Sequence, residues 1–544
     1  MYSGDLISYF PTNETIKGPR VGQVAVLNEV DKVIKAGKRL IIIEGPVGCG
    51  KSAIAMTLSN AFGNSHVITP RKSLQDQYFE DFGDITVLMK GRGAYPCTFG
   101  VSPNKYRTVA MAVVNGQVRQ PVYGEANCSS APCKGSSAIA KECVKETGVC
   151  PYTLAVETAQ QSPTVIHNIH SFVFQTAFTE KFQKRSLLVI DEAHEIQSTI
   201  RGFISKKFAV NIPVQADDRP QTVNDVESWA DFFSEPRFVP ETTANESAQK
   251  RMNPDWTTPA EEYMGRVMAL RLQKDYYKEK FSVKATINKV NNQELSTTFE
   301  FVPDSLGNSP RDLLFNFGEC VVLMSGTIYG KESFCKPLGI NPEDAHYIRI
   351  PSTFPVENRP IYCKPQYQVD TSFKCWNENF EEMIEKMSGI MTIFSDAKGL
   401  IHAPSYTAAM EIAQALPGQR AITHSSHDFQ EKLKMFFESE EPLVFVSPVC
   451  PQGVDFKEDR ARFQIITRVP YLNTSDEFVK YKVENDFQWY NYQALIVWGQ
   501  QCGRVNRSES DYGATFLMDS RFNSFISKNK KVIPKWLQAA IIYK

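Results

Sequence analysis

The segment Leu40-Ile-Ile-Ile-Glu-Gly45-Pro-Val-Gly48-Cys49-Gly50-Lys51-Ser52 constrains the fold more than any other stretch. An apolar run followed at once by G-x4-G-K-S reads as a buried parallel strand, a glycine turn and a helix. Gly45, Gly48 and Gly50 let backbone N–H groups curl inward around phosphate oxygens, with Cys49 inside the same loop. The helix expected from residue 53 aims the positive end of its dipole at that point. Lys51 is then placed to reach the β- and γ-phosphates, and the Ser52 hydroxyl to ligate Mg²⁺. The loop implies a nucleotide within an α/β domain; it does not say what hydrolysis drives.

Composition narrows the setting. At 544 residues the chain exceeds one hydrophobic core, and about three or four domains are expected. With 42% hydrophobic and 22% charged residues it is an ordinary globular chain. A net charge of −1 gives no global basic field, so a nucleic-acid partner would need a local groove. No apolar run reaches about 18 residues, so no membrane span is expected. The first twenty residues lack the basic and apolar blocks of a secretory signal, and a cytoplasmic location is expected.

Upstream of the loop, Arg20 and Gln23 open a helical pattern, and a glutamine there can read an adenine edge. Downstream, His66-Val-Ile-Thr-Pro70 reads as a strand ending in a polar turn, at the end where open α/β sheets bind ligands. Residues 88–150 then lose hydrophobic periodicity and gather Cys97, Cys128, Cys133, Cys143 and Cys150. Such a segment calls for a staple, and metal is the usual intracellular one. The spacings fit neither a zinc ribbon nor a ferredoxin run, so iron–sulfur and zinc stand level, with free thiols behind.

Leu187-Leu-Val-Ile-Asp191-Glu192-Ala193-His194 describes a buried strand that presents carboxylates at its tip. Asp191 can hold Mg²⁺, Glu192 can orient or deprotonate the attacking water, and His194 can couple this site to a neighbouring motif. Residues 201–310 turn polar with scattered aromatics and read as an inserted domain, with a long helix expected over 264–280. Val321-Val-Leu-Met-Ser325-Gly326-Thr327 returns to a buried strand, whose small hydroxyl residues can relay the γ-phosphate state. From about residue 351 a second α/β pattern begins, with strands expected at 400–401, 421–422, 443–446, 463–466 and 515–518. It carries no P-loop. It does carry Ser447-Pro-x-x-x-Gln-Gly453-Val-Asp455 and Gln500-x-x-Gly503-Arg504-x-x-Arg507. Arg504 and Arg507 share one helical face and, turned toward the first domain's phosphates, would act as arginine fingers.

Together these residues resemble the XPD/DinG family of superfamily 2 DNA helicases, over most of the chain. Residues 45–52 match motif I, 69–78 motif Ia, 191–194 motif II and 325–327 motif III. Lys398-Gly-Leu-Ile-His-Ala-Pro-Ser-Tyr406 matches motif IV, 447–455 motif V and 500–507 motif VI. Pro351-Ser-Thr-Phe-Pro355 and Asp511-Tyr-Gly513 look like further family landmarks. The resemblance implies an α/β fold with two RecA-like doubly wound parallel-sheet motor domains. The first would comprise 1–90, 151–200 and 311–350, the second 351–544. Inserted in the first would be an iron–sulfur domain at 91–150 and a helical arch at 201–310. It also implies ATP and Mg²⁺, with Asp455 and Gln500 at the nucleotide.

The same resemblance moves the cysteine staple to a [4Fe–4S] cluster. The family uses four ligands; Cys97 and Cys150 match, Cys133 and Cys143 are favoured for the middle pair, and Cys128 is the substitute. Finally it implies 5′→3′ translocation on single-stranded DNA, with forked or tailed duplexes as substrates, and a monomer is expected. An ATP-switched clamp, or an RNA/DNA remodelling ATPase without processive unwinding, uses the same motifs.

Overall fold

The computed structural model describes residues 4–14, 16–46, 48–96, 128, 150–220, 225–243, 246–247, 258–272, 281–290, 293–449, 454, 456, 458–506 and 508–544. Two seven-stranded sheets dominate it. The first contains β1 (Leu40–Glu44), β2 (Ser65–Thr69), β3 (Val87–Met89), β4 (Thr164–Asn168), β5 (Arg185–Ile190), β9 (Gly318–Ser325) and β10 (Ala345–Arg349). Their order is β10-β1-β9-β5-β2-β4-β3, and every pairing is parallel.

A parallel sheet is covered on both faces, so its strands read as apolar runs. In β1, Ile41 and Ile43 enter one core with helices α1 (Val21–Lys35) and α2 (Lys51–Phe62), while Ile42 enters the core on the other face. Each of these isoleucines is fully buried, a gain of about 2 kcal/mol over exposure. The strand order does the positioning. It lays β1, β9 and β5 side by side, with Glu44 opposite Ser325, so the three segments after those strands emerge together.

The second sheet is also wholly parallel. It contains β11 (Ile361–Tyr362), β12 (Gly399–His402), β13 (Ala421–Thr423), β14 (Val444–Ser447), β15 (Phe463–Ile466), β16 (Ala514–Leu517) and β17 (Ile541–Ile542). The order is β13-β14-β12-β15-β16-β11-β17. The helix Phe487–Cys502 joins this sheet's core and leans on the first domain. Tyr492 donates to the Ile328 carbonyl at 2.7 Å, and Trp489 Nε1 to Gln197 Oε1 at 3.1 Å.

The insertion between β5 and β9 is not purely helical, as expected, but mixed. Helices Val226–Phe233 and Pro259–Leu272 cover a three-stranded antiparallel sheet, β6 (Lys206–Val210), β8 (Gln293–Pro303) and β7 (Phe281–Val290), in the order β6-β8-β7. The reason is a period of two: Phe281, Val283 and Ala285 alternate with polar residues, as do Thr297, Phe299 and Phe301. Trp229, Phe233, Tyr263, Phe299 and Phe301 form its core. The helix expected over 264–280 begins earlier, at Pro259, and residues 273–280 lie outside the described residues. Among the described residues no helix is long and apolar enough to cross a membrane.

Candidate nucleotide site between the two sheets

The turn after β1 is set by glycine. Gly50 caps α2 with φ +78°, and a Cβ there would stand 2.2 Å from Gln23 Nε2. Lys51 Nζ donates to the Gly45 carbonyl at 3.2 Å, and Gly45 N donates to the Ser325 carbonyl at 3.0 Å, tying this loop to the end of β9. Arg20 and Gln23 brace the loop. Arg20 Nη1 donates to the Gly48 carbonyl at 2.7 Å; Gln23 accepts from Arg20 N at 2.8 Å and donates to the Gly50 carbonyl at 3.1 Å.

After β5, Asp191 is 3% exposed and accepts from Glu192 N at 2.8 Å and from the Tyr78 hydroxyl at 2.9 Å. Ser52 hydrogen-bonds the same hydroxyl, so one buried phenol of α3 (Lys72–Phe82) holds both expected Mg²⁺ ligands. Burial and the neighbouring Glu192 charge push the Asp191 carboxyl up to about 6. Burial opposes ionisation of Glu192 too. There the His194 hydrogen bond and the charges of His194, Lys51 and Arg71 outweigh it and hold the carboxyl at about 2. Glu192 sits at φ +49°, a left-handed conformation that a side chain adopts at a cost of about 1–3 kcal/mol.

His194 is the junction. Its Nδ1 lies 2.8 Å from Ser325 Oγ and 3.2 Å from Glu192 Oε2, and its Nε2 meets the Gln500 amide across the cleft. Ser325 Oγ also accepts from Thr327 N at 3.1 Å. Facing them, Arg504 is 6% exposed; its Nη1 contacts the Val454 carbonyl at 3.4 Å and its Nε has no partner among the described residues. A cavity of about 410 Å³ is walled by Gly48, Lys51, Glu192, His194, Gly326 and Thr327 from one side and by Gln500, Gly503 and Arg504 from the other. Arg507 and Asp455 lie outside the described residues.

Two residues of this cleft escaped the reading of the sequence. Tyr78 looked like a helix residue, and only its burial beside Asp191 gives it a role. Arg71 lines the cavity and pairs with Glu195 at 2.6 Å. Its place just past the end of β2 was the available signal.

Of the clustered cysteines, Cys128 and Cys150 are described and Cys97, Cys133 and Cys143 lie outside the described residues. Cys128 is buried among Met89, Tyr95 and Tyr152, with its N bonded to the Tyr95 carbonyl at 2.9 Å. Its thiol hydrogen-bonds Cys150, which holds that sulfur down at about 5 against the effect of burial. Among the described residues no group of three or more His, Cys, Asp or Glu side chains is arranged to hold a metal ion.

Comparison with known proteins agrees with this architecture. The helicase C-terminal domain family matches residues 390–540, and the family described as type III restriction enzyme, res subunit, matches 16–215. The helicase subunit XPD of the general transcription and DNA repair factor IIH from Dictyostelium discoideum is 29% identical over 43% of this chain and 33% of its own length. The ATP-dependent DNA helicase YoaA of Haemophilus influenzae is 20% identical over 96% of this chain and 94% of its own length. A solved XPD helicase structure superposes with a TM-score of 0.58 at 15% identity, covering 96% of this chain and 99% of that one. The chain is thus similar to XPD/DinG-like helicases of superfamily 2. Another relative, the Fanconi anemia group J protein homolog of Gallus gallus, is 31% identical over 21% of this chain. The chain spans only 11% of that protein and a third of the Dictyostelium one.

Proposed function

We propose that this chain is an ATP-dependent DNA helicase. It would move 5′→3′ on single-stranded DNA and open forked or tailed duplexes in replication, recombination or repair, as a cytoplasmic monomer. One observation carries the reading: Lys51, Glu192 and His194 of the first sheet and Gln500 and Arg504 of the second wall a single cavity. The names of the relatives, YoaA and XPD among them, point the same way.

In this reading the triphosphate lies on the loop 45–52, with Lys51 on its β- and γ-phosphates and Arg504 and Arg507 closing over the transferred group. Ser52 and Asp191, both bonded to Tyr78, offer the hard oxygen donors that Mg²⁺ requires. Ser52 and Asp191 would hold Mg²⁺ there, and the ion would supply positive charge against the charge that develops on the phosphoryl group. Glu192 is held ionised and orients the attacking water. His194 reports the result, because it touches Glu192, Ser325 and Gln500 at once. Closing and reopening of the cleft then moves one sheet domain against the other along a strand held by phosphate contacts and base stacking.

The cysteine segment fits an iron–sulfur cluster in its donor chemistry: soft thiolates, with Cys128 and Cys150 already in contact. We assign Cys150 and its neighbour Cys128 as ligands, with two of Cys97, Cys133 and Cys143 completing the set. This promotes Cys128 above the substitute role that the family resemblance gave it. The cluster would staple a segment that has no apolar pattern of its own.

The test is hydrolysis. Purified protein should hydrolyse ATP with Mg²⁺, faster with single-stranded DNA. Lys51→Ala should lower turnover by about two orders of magnitude or more while DNA binding survives. Turnover near wild type in that variant would remove the loop from the motor. DNA-stimulated turnover with no displaced strand would favour the clamp.

A further inference from the structure

Among the cavity-wall residues outside the phosphate-facing set are Ser352, Phe354, Arg359, Asn506 and Trp536. The Arg359 guanidinium lies over the Trp536 indole, 5.3 Å from its centroid. It is fixed there by Nη1 to the Trp536 carbonyl at 2.8 Å and Nε to the Phe354 carbonyl at 3.3 Å. This makes a flat, partly apolar wall of the kind an aromatic base stacks on.

Asn506 supplies the polar element. It is 5% exposed, and its Nδ2 faces two carbonyls, Asp511 O at 2.5 Å and Asn358 O at 3.4 Å. Two acceptors on that side fix the amide orientation: nitrogen toward them, oxygen away. Asn506 Oδ1 is then a buried acceptor with no partner among the described residues, on a side chain that lines the cavity. Such an atom in a native structure calls for a donor. Gln23, the residue the sequence offered for base reading, has both ends of its amide engaged by Arg20 N and the Gly50 carbonyl.

We infer that this wall is the base subsite of the cleft, and that Asn506 Oδ1 accepts a hydrogen bond from the exocyclic amine of adenine. Arg359, Phe354 and Trp536 give stacking surface to any purine, while Asn506 discriminates between them. A 6-oxopurine sets a carbonyl oxygen against Asn506 Oδ1, two acceptors with no proton between them. The assignment rests on the nucleotide reading proposed above.

Equilibrium binding of ATP and of ITP to the full chain, measured by displacement of a fluorescent ATP analogue, tests it. ITP differs from ATP in carrying oxygen where ATP carries the amine. Wild-type protein should bind ATP about tenfold or more tightly than ITP. Asn506→Leu should lower ATP affinity to that for ITP, and Trp536→Ala should weaken both nucleotides by the same factor. Equal binding of ATP and ITP by wild-type protein, or a preference unmoved by Asn506→Leu, would overturn the base assignment while leaving the nucleotide cleft in place. Failure to bind either nucleotide would instead overturn the reading of the cleft itself.

Discussion

At the scale of single residues, the cleft works by placing opposite demands on neighbours. Asp191 and Glu192 are adjacent carboxyls, yet the first is pushed up by burial and the second held down by His194, Lys51 and Arg71. Arg504, buried with no partner for its Nε among the described residues, would in the proposed function meet charge that appears only with the triphosphate. Arg504→Ala should therefore depress turnover by about 10³-fold with a much smaller loss of nucleotide affinity. Equal loss of both would reassign it to ground-state binding. The residue scale also sets a limit on stability in acid. His66 donates to the Gln183 carbonyl at 3.0 Å and meets His167 at 3.1 Å inside the first sheet's core. Burial lowers the His66 pKa to about 3 and holds His167 well below its ordinary value. Both folded-state values lie below those of the unfolded chain, near 6.5, so their contribution is complete above that pH and is lost as pH falls toward 3. At pH 5 His66 should cost about 2 kcal/mol of stability relative to pH 7, with His167 acting in the same direction. Thermal melts should shift down accordingly, and a midpoint unchanged between pH 7 and pH 5 would contradict the neutral buried pair.

At the scale of elements, legibility followed the strength of the pattern. The strands β1, β5, β9, β12, β14, β15 and β16 were readable because sheets covered on both faces leave apolar runs. The strands β11 and β17, two residues each at one edge of the second sheet, carry no such run and were not. The antiparallel sheet of the insertion was missed although Phe281, Val283 and Ala285 alternate, because charge and scattered aromatics drew the reading toward helix. The loop 45–52 and Asp191-Glu192-Ala193-His194 were legible because their chemistry needs adjacent residues. The Ser52–Tyr78–Asp191 chain was not, because it joins three elements. The cysteine segment shows the same division: spacing leaves the ligand set open, and the proposed place of Cys128 in it draws on its packing beside Cys150, which no sequence spacing reveals. Anaerobically purified protein should carry about four irons per chain. Cys128→Ser should lose iron as fully as Cys150→Ser, while some DNA-stimulated ATPase survives, since the nucleotide cleft lies elsewhere. Full iron retention in Cys128→Ser would return it to the role of spare thiol, and stoichiometric zinc without iron would sink the cluster.

At the scale of the whole molecule, two parallel sheets share one cavity, and the contacts that cross it are few and specific. His194 meets Gln500, Gln197 accepts from Trp489 and Gln493, and Tyr492 holds the Ile328 carbonyl. Tyr329, at φ +49°, inserts from the first domain into the second domain's core, its ring against Gly499, where a Cβ would fall 1.6 Å from the hydroxyl. In the proposed function, nucleotide would decide how far the two domains close. The central claim is that this closure drives strand separation with a fixed polarity. Strand displacement on two duplexes tests it directly: one with a 5′ single-stranded tail, one with a 3′ tail, at equal enzyme, low salt, ATP and Mg²⁺. The account predicts displacement from the 5′-tailed duplex alone, weakening as salt screens the phosphate contacts. Displacement from the 3′ tail alone, or from neither while DNA still stimulates ATP hydrolysis, would contradict it.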